Sequence, residues 1–291
     1  MIAAAAVLEP IGAVAVGVLS GVLSAVAGVG GAVVTTPGLR ALGASAAIAL
    51  GSTVPAIIPG AATSSIRYHT AGLIDGRVAG WCGGVGTASA LLGAWVSTLV
   101  DARWLMVVTA LLLVWSSVTV LRRARPTPPG FAGAGVPSAE RKRSSDARES
   151  GEVALSGPRI GRVGAHCEAP VALLAAIGVV AGFVAGLLGV GGGIVLVPAF
   201  TLVLRMPTKA TVATSLVAVA LMSTTSLIGH WLAGHIDWSL ALPLALGVVP
   251  GARLGSRFTV VASERVMSLV CGSLLAAFGA FYLVRELGGV L

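Results

Sequence analysis

Uncharged apolar runs of about 20 residues confine a chain to few folds, because a helix of that length is what a bilayer core of about 30 Å requires. Such runs lie near 11–39, 43–66, 78–100 and 104–121, and again near 170–204, 210–230, 239–258 and 266–285. Only 10% of the 291 residues are charged, against roughly a quarter in ordinary soluble domains. A soluble enzyme, a secreted disulfide scaffold and a disordered chain are excluded on these grounds. The pattern predicts an all-α polytopic membrane protein of about eight hydrophobic segments, with the lipid bilayer as its main surroundings. The opening MIAAAAVLEPIGAV has no basic stretch, and its apolar run outlasts a signal peptide, so the first segment is expected to belong to the mature protein.

The net charge of +8 is concentrated in one place. Nine of the nineteen basic residues fall between Arg122 and Arg162, in a Pro-, Gly- and Ser-rich stretch that also carries Glu140, Asp146, Glu149 and Glu152. A stretch without a hydrophobic period or interleaved aromatics reads as a solvated linker, and no nucleic-acid partner is expected. Its basic residues place it on the cytoplasmic side by the positive-inside rule, and the Arg141-Lys142-Arg143 cluster can attract anionic headgroups. The expected organisation is therefore a first transmembrane repeat at 1–121, a basic linker at 122–169 and a second repeat at 170–291.

The halves match each other. GVLSAVAGVGGAVVTTP at 21–37 aligns without a gap on GFVAGLLGVGGGIVLVP at 182–198, pairing Gly28 with Gly189, Gly30 with Gly191, Gly31 with Gly192 and Pro37 with Pro198. The offset of 161 residues becomes 162 further on, where Ser52-Thr53 falls on Thr214-Ser215 and AGLID at 71–75 falls on AGHID at 233–237. Duplicated halves with a ligand site between them are a frequent architecture of secondary transporters.

Glycine clusters inside apolar runs break helices, each glycine costing roughly 1 kcal/mol against alanine. Backbone freed at membrane depth must be buried in protein or line a polar cavity. The helix that starts after such a break presents its first N–H groups and the positive end of its dipole, which suits an anion without any basic side chain. Gly30 and Gly31, and Gly191, Gly192 and Gly193, are the candidates for substrate binding by this means, and the first helix of each half is predicted to be broken. The competing reading is close helix packing by small residues, which suffices for Gly17 with Gly21 and Gly178 with Gly182.

Ser52, Thr53, Thr214 and Ser215 occupy matching places in the second segment of each half, where their hydroxyls can donate to an anion or bond back to their own helix. Arg253 in VVPGARLGSRF is the most deeply placed permanent cation, able to face substrate or to snorkel. His230, His235, Asp237, Tyr68, His69 and Asp75 cluster in the connections HWLAGHID and RYHTAGLID. Loop capping is the simpler role there, with His230 as a candidate for proton coupling. The pair at 230 and 235 lacks the spacing and third ligand of a metal site, Cys82, Cys167 and Cys271 form no ligand set, and no metal or cofactor is expected. The tryptophans sit mostly at segment ends, as interfacial anchors do.

These residues together resemble the sulfite exporter TauE/SafE family of membrane transporters. The likeness lies in GVGGGIVLVP at 189–198, ATSL at 213–216, the His230-to-Trp238 stretch HWLAGHIDW and PGARLG at 250–255. The first half carries weaker forms, with Ala32 in place of Gly193 and Tyr68 in place of His230. The resemblance implies movement of a small anionic substrate, typically sulfite, sulfonates or related sulfur compounds, across the bacterial cytoplasmic membrane, and no enzymatic activity. The residues themselves leave open an intramembrane enzyme using His230 and Asp237, and a structural subunit of a membrane complex. Topology has two solutions: eight crossings with parallel halves, or re-entrant first segments with inverted halves.

Overall fold

The computed structural model describes residues 2–100, 102–124 and 169–288. Most of the linker expected at 122–169, with Cys167 and the 141–143 basic cluster, lies outside the described residues. Those described are helical and form one compact unit. The helices run in chain order as α1 (Ile2–Ala27), α2 (Ala32–Ala41), α3 (Ala46–Thr70), α4 (Gly76–Ser97), α5 (Ala102–Ala124), α6 (Val171–Leu188), α7 (Gly193–Leu202), α8 (Thr208–Leu232), α9 (Trp238–Val261) and α10 (Glu264–Gly288).

Among the described residues five stretches are long and apolar enough to cross a membrane: Pro10–Ala27, Ala47–Thr70, Val171–Leu188, Thr208–Leu232 and Trp238–Val261. Shorter apolar stretches lie at Val107–Arg122, Gly193–Leu202 and Arg265–Phe281. The count falls below eight partly because α4 carries six glycines, which dilute its hydropathy without shortening it. The protein is a multi-pass membrane protein, and its outer surface fits lipid. Trp81, Trp95, Trp104, Trp115, Trp231 and Trp238 are all exposed, along with Leu92, Leu99, Leu246 and Val261.

The apolar runs at 11–39 and 170–204 are each cut in two, at Gly28–Gly31 and Gly189–Gly192. The chain then turns back. A methyl group placed on Gly31 would stand 2.5 Å from Ser20 Oγ, one on Gly38 2.5 Å from Val16 Cγ1, and one on Gly12 2.9 Å from Leu42 Cδ2. Later residues of α2 therefore meet earlier residues of α1, as in an antiparallel hairpin, and Arg40 returns toward the end from which α1 enters. A methyl group on Gly192 would likewise meet Ala181 O at 2.8 Å and Ala185 Cβ at 3.1 Å.

Small residues let the long helices approach at backbone distance. Gly17 and Gly21 of α1 face Leu244, Gly247, Val248 and Ala252 of α9, and Gly251 and Gly255 of α9 face Val18 and Val22. Gly178, Gly182 and Gly186 of α6 face Cys82, Gly86 and Ala90 of α4. Residue numbers rise together in both pairs, so each pair is parallel. Close packing of small residues, not transfer from water, drives helix association in lipid. The first helix of each half of the chain, α1 or α6, thus packs on the fourth helix of the other half, α9 or α4.

The connections AGLID and AGHID end and start helices by the same device. Gly72 and Gly234 adopt left-handed φ of 67° and 71°, and the amides that follow, Leu73 and His235, bond to Tyr68 O and His230 O. Asp75 then caps α4 through the amides of Arg77 (3.0 Å) and Val78 (3.2 Å), and Asp237 caps α9 through that of Ser239 (2.9 Å). These caps satisfy donors that a helix start leaves open.

Candidate functional site

Each break is three left-handed glycines around one valine. Gly28, Gly30 and Gly31 have φ of 73°, 88° and 82°, and Gly189, Gly191 and Gly192 have φ of 62°, 78° and 77°. A side chain at any of the six would carry the left-handed penalty of roughly 1–2 kcal/mol. The two breaks touch. A methyl group on Gly193 would stand 2.5 Å from Val29 Cα and 2.6 Å from Gly28 O, and one on Gly30 would stand 3.3 Å from Val190 O. Ile57 of α3 and Val219 of α8 close over both, each lying within 3.4 Å of methyl positions on Gly30 and Gly191.

Both short helices start at this point. Gly31 is the N-cap residue of α2 and Gly192 that of α7. Their carbonyls accept the first intrahelical bonds, from Val34 and Thr35 and from Val195 and Leu196. The amides before these carry the positive end of each dipole, equivalent to roughly half an elementary charge. Both breaks are buried, and the low local dielectric of a buried site strengthens any electrostatic contact made there.

The hydroxyls singled out in the sequence link the halves crosswise. Thr53 Oγ1 donates to Leu50 O (2.7 Å) and to Gly189 O of the second break (3.3 Å). Ser215 Oγ donates to Val212 O and, across the molecule, to Gly28 O of the first break, both at 3.0 Å. Ser52 Oγ accepts from the Asp237 amide at 2.8 Å, and Thr214 Oγ1 accepts from the Asp75 amide at 3.1 Å. Tyr68 and His230 also play matching parts: Tyr68 Oη donates to Ala25 O (2.6 Å) and His230 Nε2 meets Gly186 O at 3.1 Å. Since a carbonyl only accepts, the His230 proton sits on Nε2, leaving Nδ1 as an acceptor. That Nδ1 is buried with no partner among the described residues. His235 lies 5.9 Å away by ring centroids, and no group of three His, Cys, Asp or Glu gathers among the described residues.

The structure thus brings Gly30, Gly31, Gly191, Gly192, Gly193, Thr53 and Ser215 together at one place, with Ser52 and Thr214 clamping the connections nearby. Arg253 is not among them. It is exposed on α9, on the face turned away from Gly251 and Gly255, which pack against α1. Ser223 is a member that the matching of the halves does not reveal, because Ala61 stands at its counterpart. Its signal in the sequence is helical spacing: Ser223, Ser226 and His230 share one face of α8, and all three are buried.

The comparisons with known proteins agree with this picture. The chain is 28% identical over 286 residues to the probable membrane transporter protein YunE of Bacillus subtilis, covering 92% of this chain and 97% of that one. It is 26% identical over 249 residues to a probable membrane transporter protein of Xylella fastidiosa, covering 82% and 80%. No solved structure matches it. The model of the family described as sulfite exporter TauE/SafE matches residues 13–282. A broken-helix interior on a multi-pass scaffold, the relatives and a match over nearly the whole length agree: the chain belongs to the TauE/SafE family of membrane transporters and is not an enzyme.

Proposed function

We propose that this transporter moves small anions, namely sulfite, sulfonates or related sulfur compounds, across the cytoplasmic membrane. The observation that carries the reading is the meeting of two helix starts, α2 and α7, at abutting glycine breaks in the interior. An anion there is held by the amides of Gly30, Gly31, Gly191, Gly192 and Gly193. Thr53 and Ser215 fix the break carbonyls, Ser52 and Thr214 lie beside them, and His230 carries the proton that couples to flux. Two duplicated halves, 1–121 and 170–291, move against each other for alternating access, joined by a cytoplasmic linker at 122–169. The reversal of α2 along α1 and the crosswise hydroxyl bonds favour inverted halves, each with a re-entrant hairpin and three crossings.

Counterflow in vesicles reconstituted with the full chain tests the substrate class. Sulfite, thiosulfate, sulfoacetate and simple carboxylates are offered in turn, and at least one sulfur anion is expected to exchange. Silence toward all of them refutes the reading. Cysteines introduced beside Arg40 and Arg205 test the topology: inverted halves place them on opposite faces of the membrane, whereas eight crossings place them on the same face.

A further inference from the structure

We propose that the anion site where the two breaks meet is single, and that its side-chain donor is the hydroxyl of Ser223, which faces Gly191 just ahead of the first amides of α7. This rests on the reading of the protein as an anion transporter. Ser223 is fully buried, and its Oγ has no hydrogen-bond partner among the described residues. It faces the break, standing 3.0 Å from where a methyl group on Gly191 would lie. Serine and threonine hydroxyls within helices ordinarily bond back to a carbonyl three or four residues earlier. Ser89, Ser97, Thr109 and Thr201 do so in this protein. Ser223 keeps its proton, and a buried donor left unsatisfied costs stability unless something else accepts from it.

The first break is built differently. Ser20 Oγ and Thr35 Oγ1 both donate to Gly31 O, at 2.9 and 3.4 Å, so neither has a proton for an anion. The matching residues of the second half are Ala181 and Leu196, and the residue matching Ser223 in the first half is Ala61. The two hydroxyls on Gly31 O at the first break are thus engaged, whereas Ser223 keeps an unengaged donor facing Gly191, just ahead of the start of the ten-residue α7. An oxyanion accepts both from hydroxyls and from amides at a helix start, and charge shortens and strengthens such bonds.

The test uses full-length protein in vesicles with sulfite as the probe. Ser223→Ala is expected to raise the half-saturating sulfite concentration about tenfold, the loss of one hydrogen bond to a charged group. Its unfolding midpoint in detergent is expected to stay unchanged or rise, because the deleted hydroxyl has no protein partner. Ser116→Ala, which removes another buried hydroxyl without a partner on α5, is expected to leave both quantities unchanged. Binding of labelled sulfite to purified protein is expected to saturate at one per chain. Wild-type half-saturation in Ser223→Ala, or two sulfites per chain, overturns the proposal. A wild-type protein that moves no anion overturns the transport reading instead.

Discussion

Replacing Gly193 by alanine is the sharpest single test of how the breaks meet. In an ordinary helix the change gains stability, up to about 1 kcal/mol in mid-helix and less at a first position. No backbone penalty opposes it, since Gly193 is not among the left-handed glycines. The obstacle is the other break. The new methyl would stand 2.5 Å from Val29 Cα, 2.6 Å from Gly28 O and 2.8 Å from Val29 C, all backbone atoms that cannot rotate away. Ordinary carbon contacts lie near 3.5–4.0 Å, so the breaks must separate by about an ångström, stretching the 3.0 Å bond from Ser215 Oγ to Gly28 O. Overpacking of this kind costs typically about 1–3 kcal/mol, and loss of the Ser215 bond adds about 1. The net expectation is a destabilisation of about 2 kcal/mol. The assay is the thermal midpoint of detergent-purified protein at a fixed heating rate, paired with initial rates in vesicles; both are expected to fall. The matching first-half residue is Ala32, buried with its methyl in place, so Ala32→Gly is expected to cost only its helix propensity and a small cavity. A Gly193→Ala protein as stable as wild type would refute the abutment of the two breaks.

Thr53→Val and Ser215→Ala each leave one break carbonyl short of a donor and are expected to cost about 1 kcal/mol apiece. Because the two breaks touch, the double variant is expected to deviate from the sum in a double-mutant cycle read by thermal midpoints. Asp237→Ala removes the cap that receives the Ser239 amide and is expected to cost about 1 kcal/mol, whereas Asp237→Asn, which can still cap, retains most of it. Tyr68→Phe removes the 2.6 Å bond to Ala25 O, but Thr259 Oγ1 still donates there at 3.3 Å. Its cost is therefore expected at the low end, near 0.5 kcal/mol, and Thr259→Val in addition is expected to cost more than either alone.

What was legible in the sequence follows local chemistry. Glycine in an apolar run announces a break because the penalty is paid within one turn of helix. Asp75 and Asp237 announce caps because their partners lie two or three residues on, and the Gly17–Gly21 and Gly178–Gly182 pairs announce close packing. Which half they would pack against was not legible. The pairing of α1 with α9 and α4 with α6 joins residues more than 90 positions apart, and no local pattern encodes the partner. Likewise the matched hydroxyls stood out as a pair of pairs, but nothing in their spacing says that Thr53 reaches the second break and Ser215 the first. The return of α2 along α1 was not legible either, because it rests on contacts of Val16, Ser20 and Leu42 that no local pattern encodes. Arg253 attracted notice by charge alone, and charge does not report which face of a helix it occupies.

The bond from Ser215 Oγ to Gly28 O spans 187 residues of sequence, and this has a consequence for biogenesis. At ribosomal rates of about 5–20 residues per second, the first break waits roughly 10–40 s for its clamp to be made. Over that interval its carbonyl lacks the hydroxyl that later satisfies it, and Gly21 of α1 lacks the α9 surface against which it packs. A nascent chain stopped after the first half should therefore be a substrate for membrane quality control, and the second half synthesised as a separate chain should rescue it.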